Sequence, residues 1–386
     1  MKISPKDRIM LIGGHLTPAL ALAQYFQVKG IVNLVWVGTR FVQTGANNNS
    51  FEYDEVRKLN IPFIELKTGK LWRKWTFKTL LKAIYNLLLI PWGSLHSLFI
   101  LLRYNPKLII GFGGYLQVHL MYWGKLLGKS CVIHEQTTVA GTSNKAVKDL
   151  VDRIFISWPE TAKYFPESKT LLSGNPIRSF LLEEVNDPRL FNNDKPTILV
   201  TGGNQGSNTI NWRLLKFLPE LLKEANVIHQ VGNSTVTNDL NQANEFAQSL
   251  EPDLRSSYIF FSGNFSEDFA RYMRASDLFV CRAGANTVTE ILALNKRAIL
   301  IPIPWSSEQE QQKNAQLVAK IGLGYILKQY DAMPPQELHN AIRLGLERVK
   351  SNKDFLGRNF NEAIDASKKL VKINACEIIT KELVLF

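Results

Sequence analysis

Short apolar runs punctuate the chain at regular intervals. Runs of strand type occupy Arg8 to Ile12, Asn33 to Val37, Phe63 to Leu66, Lys107 to Ile110, Ser130 to Ile133, Arg153 to Ile156 and Thr170 to Leu172. Between them lie longer stretches of helical period, the first carrying Ala19, Leu22, Ala23 and Phe26 on one side. Ser173 to Arg178 reads as an exit from this half, and a polar run from Glu183 to Lys195 follows. The scheme then restarts with Thr197 to Thr201, Val227 to Val231, Tyr258 to Ser262, Asp277 to Cys281, Ala298 to Ile301 and Tyr325 to Leu327. Strands that alternate with helices and end in glycines predict parallel sheets with crossover helices. The fold class is α/β, with two parallel-sheet domains. Pro334 to Val349 and Phe355 to Val371 read as terminal helices, while the pattern assigns no place to the tail Ile373 to Phe386.

One segment breaks the rhythm. From Gly69 to Asn105, Trp72, Trp75, Phe77 and Trp92 are interleaved with Lys70, Arg73, Lys74, Lys78 and Lys82. Ala83 to Leu102 carries no formal charge and is long enough to cross a bilayer. Asn86, Pro91, Gly93, Ser94, His96 and Ser97 interrupt it, and this predicts two shorter helices broken near Pro91. Two readings stand: an interfacial patch with aromatics at headgroup depth and lysines toward anionic lipid, or a core face with solvated lysines.

The length of 386 residues suits two domains. Lys+Arg is 46 against Asp+Glu 34, a net charge of +12, which fits an anionic membrane surface, a phosphorylated substrate or nucleic acid. No nucleic-acid motif accompanies it, so no nucleic-acid partner is expected. Cys131, Cys281 and Cys376 are far apart, without metal spacing, and their odd count points away from a disulfide framework. The N-terminus lacks the long apolar core and cleavage site of a signal peptide.

Candidate chemistry sits at two strand ends. Asp277 to Cys281 runs into Arg282-Ala283-Gly284-Ala285-Asn286-Thr287-Val288-Thr289-Glu290. The small residues let a ligand approach the backbone, and Asn286 or Thr287 is the expected helix cap. N–H groups at such a helix start favour phosphate. Glu290 lies about one turn in, where a carboxylate can accept both hydroxyls of a ribose, or serve only as a first-turn acid. Together these features suggest a nucleotide diphosphate. At the other strand end, Gly13-Gly14-His15 leads into a helix with Thr17 as its expected cap and Pro18 in its first turn. His15 has the right unperturbed pKa for a general base, or it braces the loop. His134 and Glu135 are adjacent in a strand and point to opposite faces, so they are not read as a metal pair; Glu135 is read as a brace.

These residues fall into an ordered set. Gly-Gly-His-x-x-Pro-Ala at 13–19, Gly-Phe-Gly-Gly-Tyr at 111–115, His-Glu-Gln at 134–136 and Ala-Gly-x-x-Asn-Lys at 140–145 come first. Gly-Asn-Pro-Ile-Arg at 174–178, Gly-Gly-x-Gln-Gly at 202–206, the Arg282–Glu290 loop and Gln-x-x-Asn-Ala at 311–315 follow. In this order the chain resembles the MurG-type transferases of peptidoglycan synthesis, from about Ile9 to Leu327. The resemblance implies a GT-B arrangement of two Rossmann-like domains facing a cleft. The first, acceptor- and membrane-associating domain would be residues 1–176, joined by the C-terminal helix 355–386. The second, UDP-sugar-binding domain would be residues 177–354. It implies inverting transfer of N-acetylglucosamine from UDP-N-acetylglucosamine to undecaprenyl-diphosphate-linked muramoylpentapeptide, by a peripheral enzyme at the cytoplasmic face of the cell membrane. By the same resemblance Glu290 would bind the ribose, and Ala285, Asn286, Thr287, Val288 and Thr289 the diphosphate and its surroundings. Gln311 would reach the transferred sugar and Ser266 the uracil. Arg178 and Asn204 would meet other parts of the donor, Gly13 and Gly14 the acceptor side, and His15 would be the base. Gln311 could equally be a solvated helix residue, and Arg178 a counterion to Glu183 and Glu184. A helix N-terminus can hold the leaving group without a metal, and no Asp-x-Asp pair stands in a strand-end loop, so no metal or cofactor is expected.

The sequence departs from the pattern on the acceptor side. The family's first loop is Gly-Gly-Thr-Gly-Gly-His; here Met10-Leu11-Ile12 replace Gly-Gly-Thr, or the loop is shortened. The Gly-Gly-Tyr loop continues Leu116-Gln117-Val118-His119 in place of a Ser and a Pro. Thr137 stands where the family has an Asn that touches the sugar, and Asn204 where it has a Ser. These changes leave three rivals: a transferase with another lipid acceptor such as diacylglycerol, a UDP-sugar epimerase, or a UDP-sugar-binding protein with weakened catalysis.

Overall fold

The computed structural model describes residues 3–41, 49–69, 80–183, 190–203, 206–232, 237–263 and 267–385. Asn204, Ser266 and the aromatic and basic residues from Lys70 to Lys78 lie outside the described residues. The chain divides into two compact units, one of Met1–Arg178 with Lys372–Phe386, the other of Ser179–Val371.

The first unit is a seven-stranded sheet of β1 (Ile9–Ile12), β2 (Leu34–Gly38), β3 (Phe63–Glu65), β4 (Leu108–Gly111), β5 (Ser130–Glu135), β6 (Arg153–Ile156) and β7 (Thr170–Leu172). The order is β3-β2-β1-β4-β5-β6-β7, and every pair is parallel. All residues of β1, β2 and β4 are buried, which explains runs without polar alternation: helices cover both faces. Met10, Ile12, Val35, Val37, Ile109 and Ile133 share one of those faces and its core. Burying each such side chain contributes roughly 1.5–3 kcal/mol.

The second unit repeats the plan with β8 (Thr197–Thr201), β9 (Asn226–Gln230), β10 (Tyr258–Phe261), β11 (Leu278–Cys281), β12 (Arg297–Leu300) and β13 (Gly324–Ile326), in the order β10-β9-β8-β11-β12-β13. It too is parallel throughout. In both sheets the strand order reverses beside the first strand, between β1 and β4 and between β8 and β11. That reversal opens the crevice where ligands of doubly wound sheets bind.

Two expectations need correction. The segment around Pro91 is one continuous helix, Leu80–Tyr104, not two. Pro91 is on its exposed side, so the Leu87 carbonyl that loses its partner there is not trapped in the core. Contacts on both sides of the proline hold the helix together. Gly69 and Gly93 allow the 68–69 segment to lie on it, since a Cβ on Gly69 would stand 1.7 Å from Asn86 O and one on Gly93 1.9 Å from Thr68 Oγ1. Ser94 Oγ accepts from Trp123 Nε1 at 2.9 Å. Second, residues 355–371 belong with the second unit rather than the first. The helix Phe360–Leu370 is held there by Ser367 Oγ donating to Leu292 O at 2.7 Å, and by Arg297 lying 3.4 Å over the Phe360 ring. Only 372–386 returns to the first unit. Its helix Ala375–Leu383 buries Ala375, Cys376, Ile379 and Leu383, and Ile3 pairs with Val384. The two readings of the first glycine loop are also separated: Met10-Leu11-Ile12 are buried residues of β1, in register with Val35-Trp36-Val37. The first glycine loop is therefore shortened, not substituted.

Candidate active site

In the first unit the turn after β1 meets the turn after β4. Gly13 N donates to Val37 O at 2.8 Å and His15 N to Phe112 O at 3.1 Å. A Cβ on Gly14 would stand 2.3 Å from Gly113 O, so only glycine permits this approach. Gly113 and Gly114 have φ of +84° and +79°, where a side chain would be strained. The helix Leu16–Val28 starts directly after His15, which takes the cap position expected of Thr17, without a side-chain cap bond. The His15 ring keeps solvent access. Dense protein around it nevertheless disfavours its charged form and lowers its pKa to about 4, an effect that water at the exposed edge moderates.

The turn after β5 closes the same end of the sheet. His134 is fully buried, its Nε2 3.0 Å from Gly174 O, and burial lowers its pKa to about 4. Glu135 is the brace the sequence suggested. Its Oε1 accepts from Thr137 N at 3.2 Å, and its Oε2 from Gly141 N at 2.7 Å and Asn144 Nδ2 at 2.8 Å. Burial raises its pKa and those bonds oppose the rise. Thr137 is buried, its hydroxyl turned inward against Glu135 Oε1 and the Val139 carbonyl. Arg178 is buried at the end of the unit.

Sequence reasoning missed Glu52. Its helix, Phe51–Lys58, follows β2 and is capped by Ser50, whose Oγ accepts from Tyr53 N at 3.2 Å. Because β2 lies beside β1, the Glu52 carboxyl reaches the shortened turn: a Cβ on Gly13 would stand 1.5 Å from Oε1. Trp36 Nε1 donates to the same oxygen at 2.8 Å. Burial pushes the Glu52 pKa up, against the Trp36 and Thr39 hydrogen bonds. Only the sheet order brings the two together, so spacing along the chain held no signal for it.

In the second unit, β11 passes into the helix Ala285–Ala293, with Gly284 in the cap position rather than Asn286 or Thr287. The first intrahelical bond is Val288 N to Gly284 O, so the N–H groups of Ala285, Asn286 and Thr287 belong to the helix end with positive dipole. Thr289 Oγ1 donates back to Ala285 O at 2.8 Å, and Glu290 is buried one turn in. Behind this start lies Arg282, also buried. It donates to Ile301 O at 2.9 Å, Gln329 Oε1 at 2.6 Å and Ser207 Oγ at 2.7 Å. All three are neutral oxygens, so none of these bonds cancels the positive charge, and burial lowers its pKa to about 10. Arg282 thereby ties together three loops at the carboxyl end of the sheet. Gln311, at the start of the helix Glu310–Lys320, accepts from Ile303 N through Oε1 at 3.1 Å.

The described candidates thus gather at the carboxyl ends of two parallel sheets, each beside a reversal of strand order. Residues 12–156 match the glycosyltransferase family 28 N-terminal domain, and residues 197–370 the glycosyltransferase family 28 C-terminal domain. A curated relative from Desulfotalea psychrophila is 30% identical over 383 residues, covering 97% of each chain. The chain belongs to glycosyltransferase family 28. That relative is named a UDP-N-acetylglucosamine–N-acetylmuramyl-(pentapeptide) pyrophosphoryl-undecaprenol N-acetylglucosamine transferase. One of the same name from Geobacter sulfurreducens is 31% identical, covering 96% of this chain and 95% of its own. Among solved structures, Acinetobacter baumannii MurG shares 25% identity with a TM-score of 0.66, covering 98% of this chain and 99% of the other. A UDP-N-acetylglucosamine 2-epimerase from Listeria monocytogenes, 12% identical with a TM-score of 0.60, shares the fold alone. Family 28 membership makes this chain a glycosyltransferase of the GT-B class, as its motifs implied.

Proposed function

We propose that this glycosyltransferase moves N-acetylglucosamine from UDP-N-acetylglucosamine to undecaprenyl-diphospho-muramoylpentapeptide, with inversion at the anomeric carbon. The observation that carries the reading is the match over 97% of both lengths to an enzyme named for this reaction. In the proposed step an acceptor hydroxyl oxygen bonds to the anomeric carbon as the bond from that carbon to the UDP phosphate oxygen breaks. His15 takes the hydroxyl proton; its lowered pKa keeps the ring neutral and receptive at neutral pH. The negative charge left on UDP falls to the helix start at Ala285–Thr287 and to the field of Arg282. Glu290 accepts the ribose hydroxyls, and Gln311 contacts the sugar.

The membrane reading rests on the helix Leu80–Tyr104. Leu81, Tyr85, Leu88, Trp92, Leu95, Phe99 and Leu102 are exposed along one side of it, and Tyr122 and Leu126 of the adjoining helix Leu116–Leu126 are exposed as well. The opposite side packs inward through Ala83, Ser97, Ile100 and Leu101. Ala83–Tyr104 is long and apolar enough to cross a bilayer, but crossing would tear that inner side from its sheet. The helix instead lies in the interface of an anionic membrane, apolar side down, and the enzyme is peripheral at the cytoplasmic face.

Labelled UDP-N-acetylglucosamine and the muramoylpentapeptide lipid, incubated with the protein in several detergents, should yield a labelled lipid. Folded protein that binds the donor yet transfers nothing would instead favour a binding protein with weakened catalysis, the reading that the shortened first loop supports. A label moved to diacylglycerol would identify a different acceptor.

A further inference from the structure

We propose that Gln117 is a positioning residue for the transfer step. It forms, with Asn144 and Glu135, a buried strut that fixes the turn on which His15 rests. The proposal builds on the reading of His15 as the base. Gln117, Asn144 and Glu135 are all nearly inaccessible to solvent, at 0%, 1% and 2% exposure. Gly113 N donates to Gln117 Oε1 at 2.9 Å. Gln117 Nε2 donates to Asn144 Oδ1 at 2.6 Å. Asn144 Nδ2 donates to Glu135 Oε2 at 2.8 Å and to His134 O at 3.2 Å. Every donor in this series faces an acceptor, and the three bonds from Gly113 N through Gln117 and Asn144 to Glu135 run one way, from a backbone N–H toward a carboxylate, with the bond to His134 O as a side anchor. Such a series is mutually polarised and stiff.

The near end of the strut is the turn that touches His15. Phe112 O holds His15 N, and Gly113 packs against the imidazole: a Cβ there would stand 3.0 Å from His15 Cδ2. Gly113 and Gly114 have no side chains to hold their left-handed backbone in place, so the bond from Gln117 supplies the restraint. Gly111 is part of the same fit, since a Cβ there would stand 2.3 Å from Gln117 Oε1. A serine at position 117 would be two atoms too short to reach Asn144 and Gly113 together, so the strut depends on the glutamine side chain. It also explains why Gln117, which touches no candidate substrate residue, is wholly buried with both ends of its amide used.

A double-mutant cycle tests this, with transfer rates and donor affinity measured on the full chain for Gln117→Leu, His15→Ala and the pair. The expected result is a 10- to 100-fold lower kcat for Gln117→Leu, with donor Kd within twofold. The same change should then cost less than twofold when added to His15→Ala, because a misplaced base matters only where a base is present. Equal losses in both backgrounds would overturn the positioning role while leaving His15 as the base. A His15→Ala enzyme of undiminished kcat would overturn the base reading and the strut's catalytic meaning with it. Should Gln117→Leu misfold, as judged by circular dichroism, Gln117→Glu replaces it. That variant keeps an acceptor for Gly113 and loses the donor to Asn144, so an intermediate loss of kcat is expected, and an unchanged kcat would count against the strut.

Discussion

In the proposed step the His15 ring is uncharged, and that sets its pH behaviour. Only the neutral imidazole can accept a proton, and the protein around it holds the pKa below the ordinary 6.5, at about 4. The kcat/KM profile should therefore stay flat down through pH 6.5 and fall only in more acidic buffer. His15→Ala should lower kcat by about 10²–10⁴, with donor affinity measured by calorimetry unchanged. The opposite split is expected at Glu290. In the proposed donor complex, replacing it with Gln removes the charge from two hydrogen bonds to the ribose, so donor binding should weaken by about 1.5–3 kcal/mol, roughly one to two orders of magnitude in Kd. Unchanged Kd for Glu290→Gln would mean that the buried carboxylate serves only the helix. Arg282 sharpens the contrast, because its guanidinium, bonded among the described residues to neutral oxygens, acts as a fixed positive field.

At the scale of elements, the helix Leu80–Tyr104 does two jobs with two sides. Its inner side completes the first unit; its outer side carries a row of large apolar groups, with Leu88 at 70% and Trp92 at 59% exposure. Glutamates at Leu88 and Trp92 should abolish cosedimentation with vesicles of anionic lipid, with thermal stability and transfer to a detergent-solubilised acceptor kept. Retained vesicle binding would move the membrane contact elsewhere. Reading this helix from sequence failed at Pro91, because the proline's local cost was visible and the tertiary contacts of Gly69, Gly93 and Ser94 were not. The strands were legible throughout, since buried parallel strands leave unbroken apolar runs bounded by glycine, as at Ile9–Ile12 before Gly13 and Leu278–Cys281 before Gly284. The caps were misread at His15 and Gly284, where backbone geometry decided against the better capping side chains nearby. Within the candidate site, the glycine turns and Glu290 could be found by spacing. Glu52 and the Gln117 strut could not, because only sheet order brings Glu52 to the turn after β1 and brings Asn144, which follows β5, to Gln117.

Across the whole molecule, buried histidines couple stability to acidity. His134 in the first unit and His229 in the second are fully buried, with pKa values lowered to about 4 and about 3. His229 is held neutral between Tyr258 OH at 2.9 Å and Asn211 Oδ1 at 3.0 Å. An unfolded histidine binds its proton near pH 6.5 and these do not, so each unit loses stability as pH falls below 6.5, down to about pH 4 or 3. In the first unit His15, His96 and His119 are lowered as well and add to the loss, while the raised carboxyls of Glu52 and Glu135 act in the opposite sense, since the folded state holds their protons more tightly. In the second unit His229 should give an acid decline approaching 1.4 kcal/mol per pH unit, roughly one proton. Calorimetric scans between pH 7 and 4 would show it, and His229→Gln should flatten the slope while costing stability at pH 7. An equally steep slope in that variant would place the proton uptake elsewhere.

The return of residues 372–385 to the first unit bears on how the polypeptide is made. Ile3 N donates to Leu383 O, and Leu385 N to Ile3 O, at 2.9 and 2.8 Å, so the earliest described residue waits for nearly the latest. On a ribosome, residues 179–371 emerge with everything their own sheet requires before that partner exists. The unit translated first is thus the last to be finished, and until residues 372–385 emerge its first helix, Leu16–Val28, lacks the helix that packs against it.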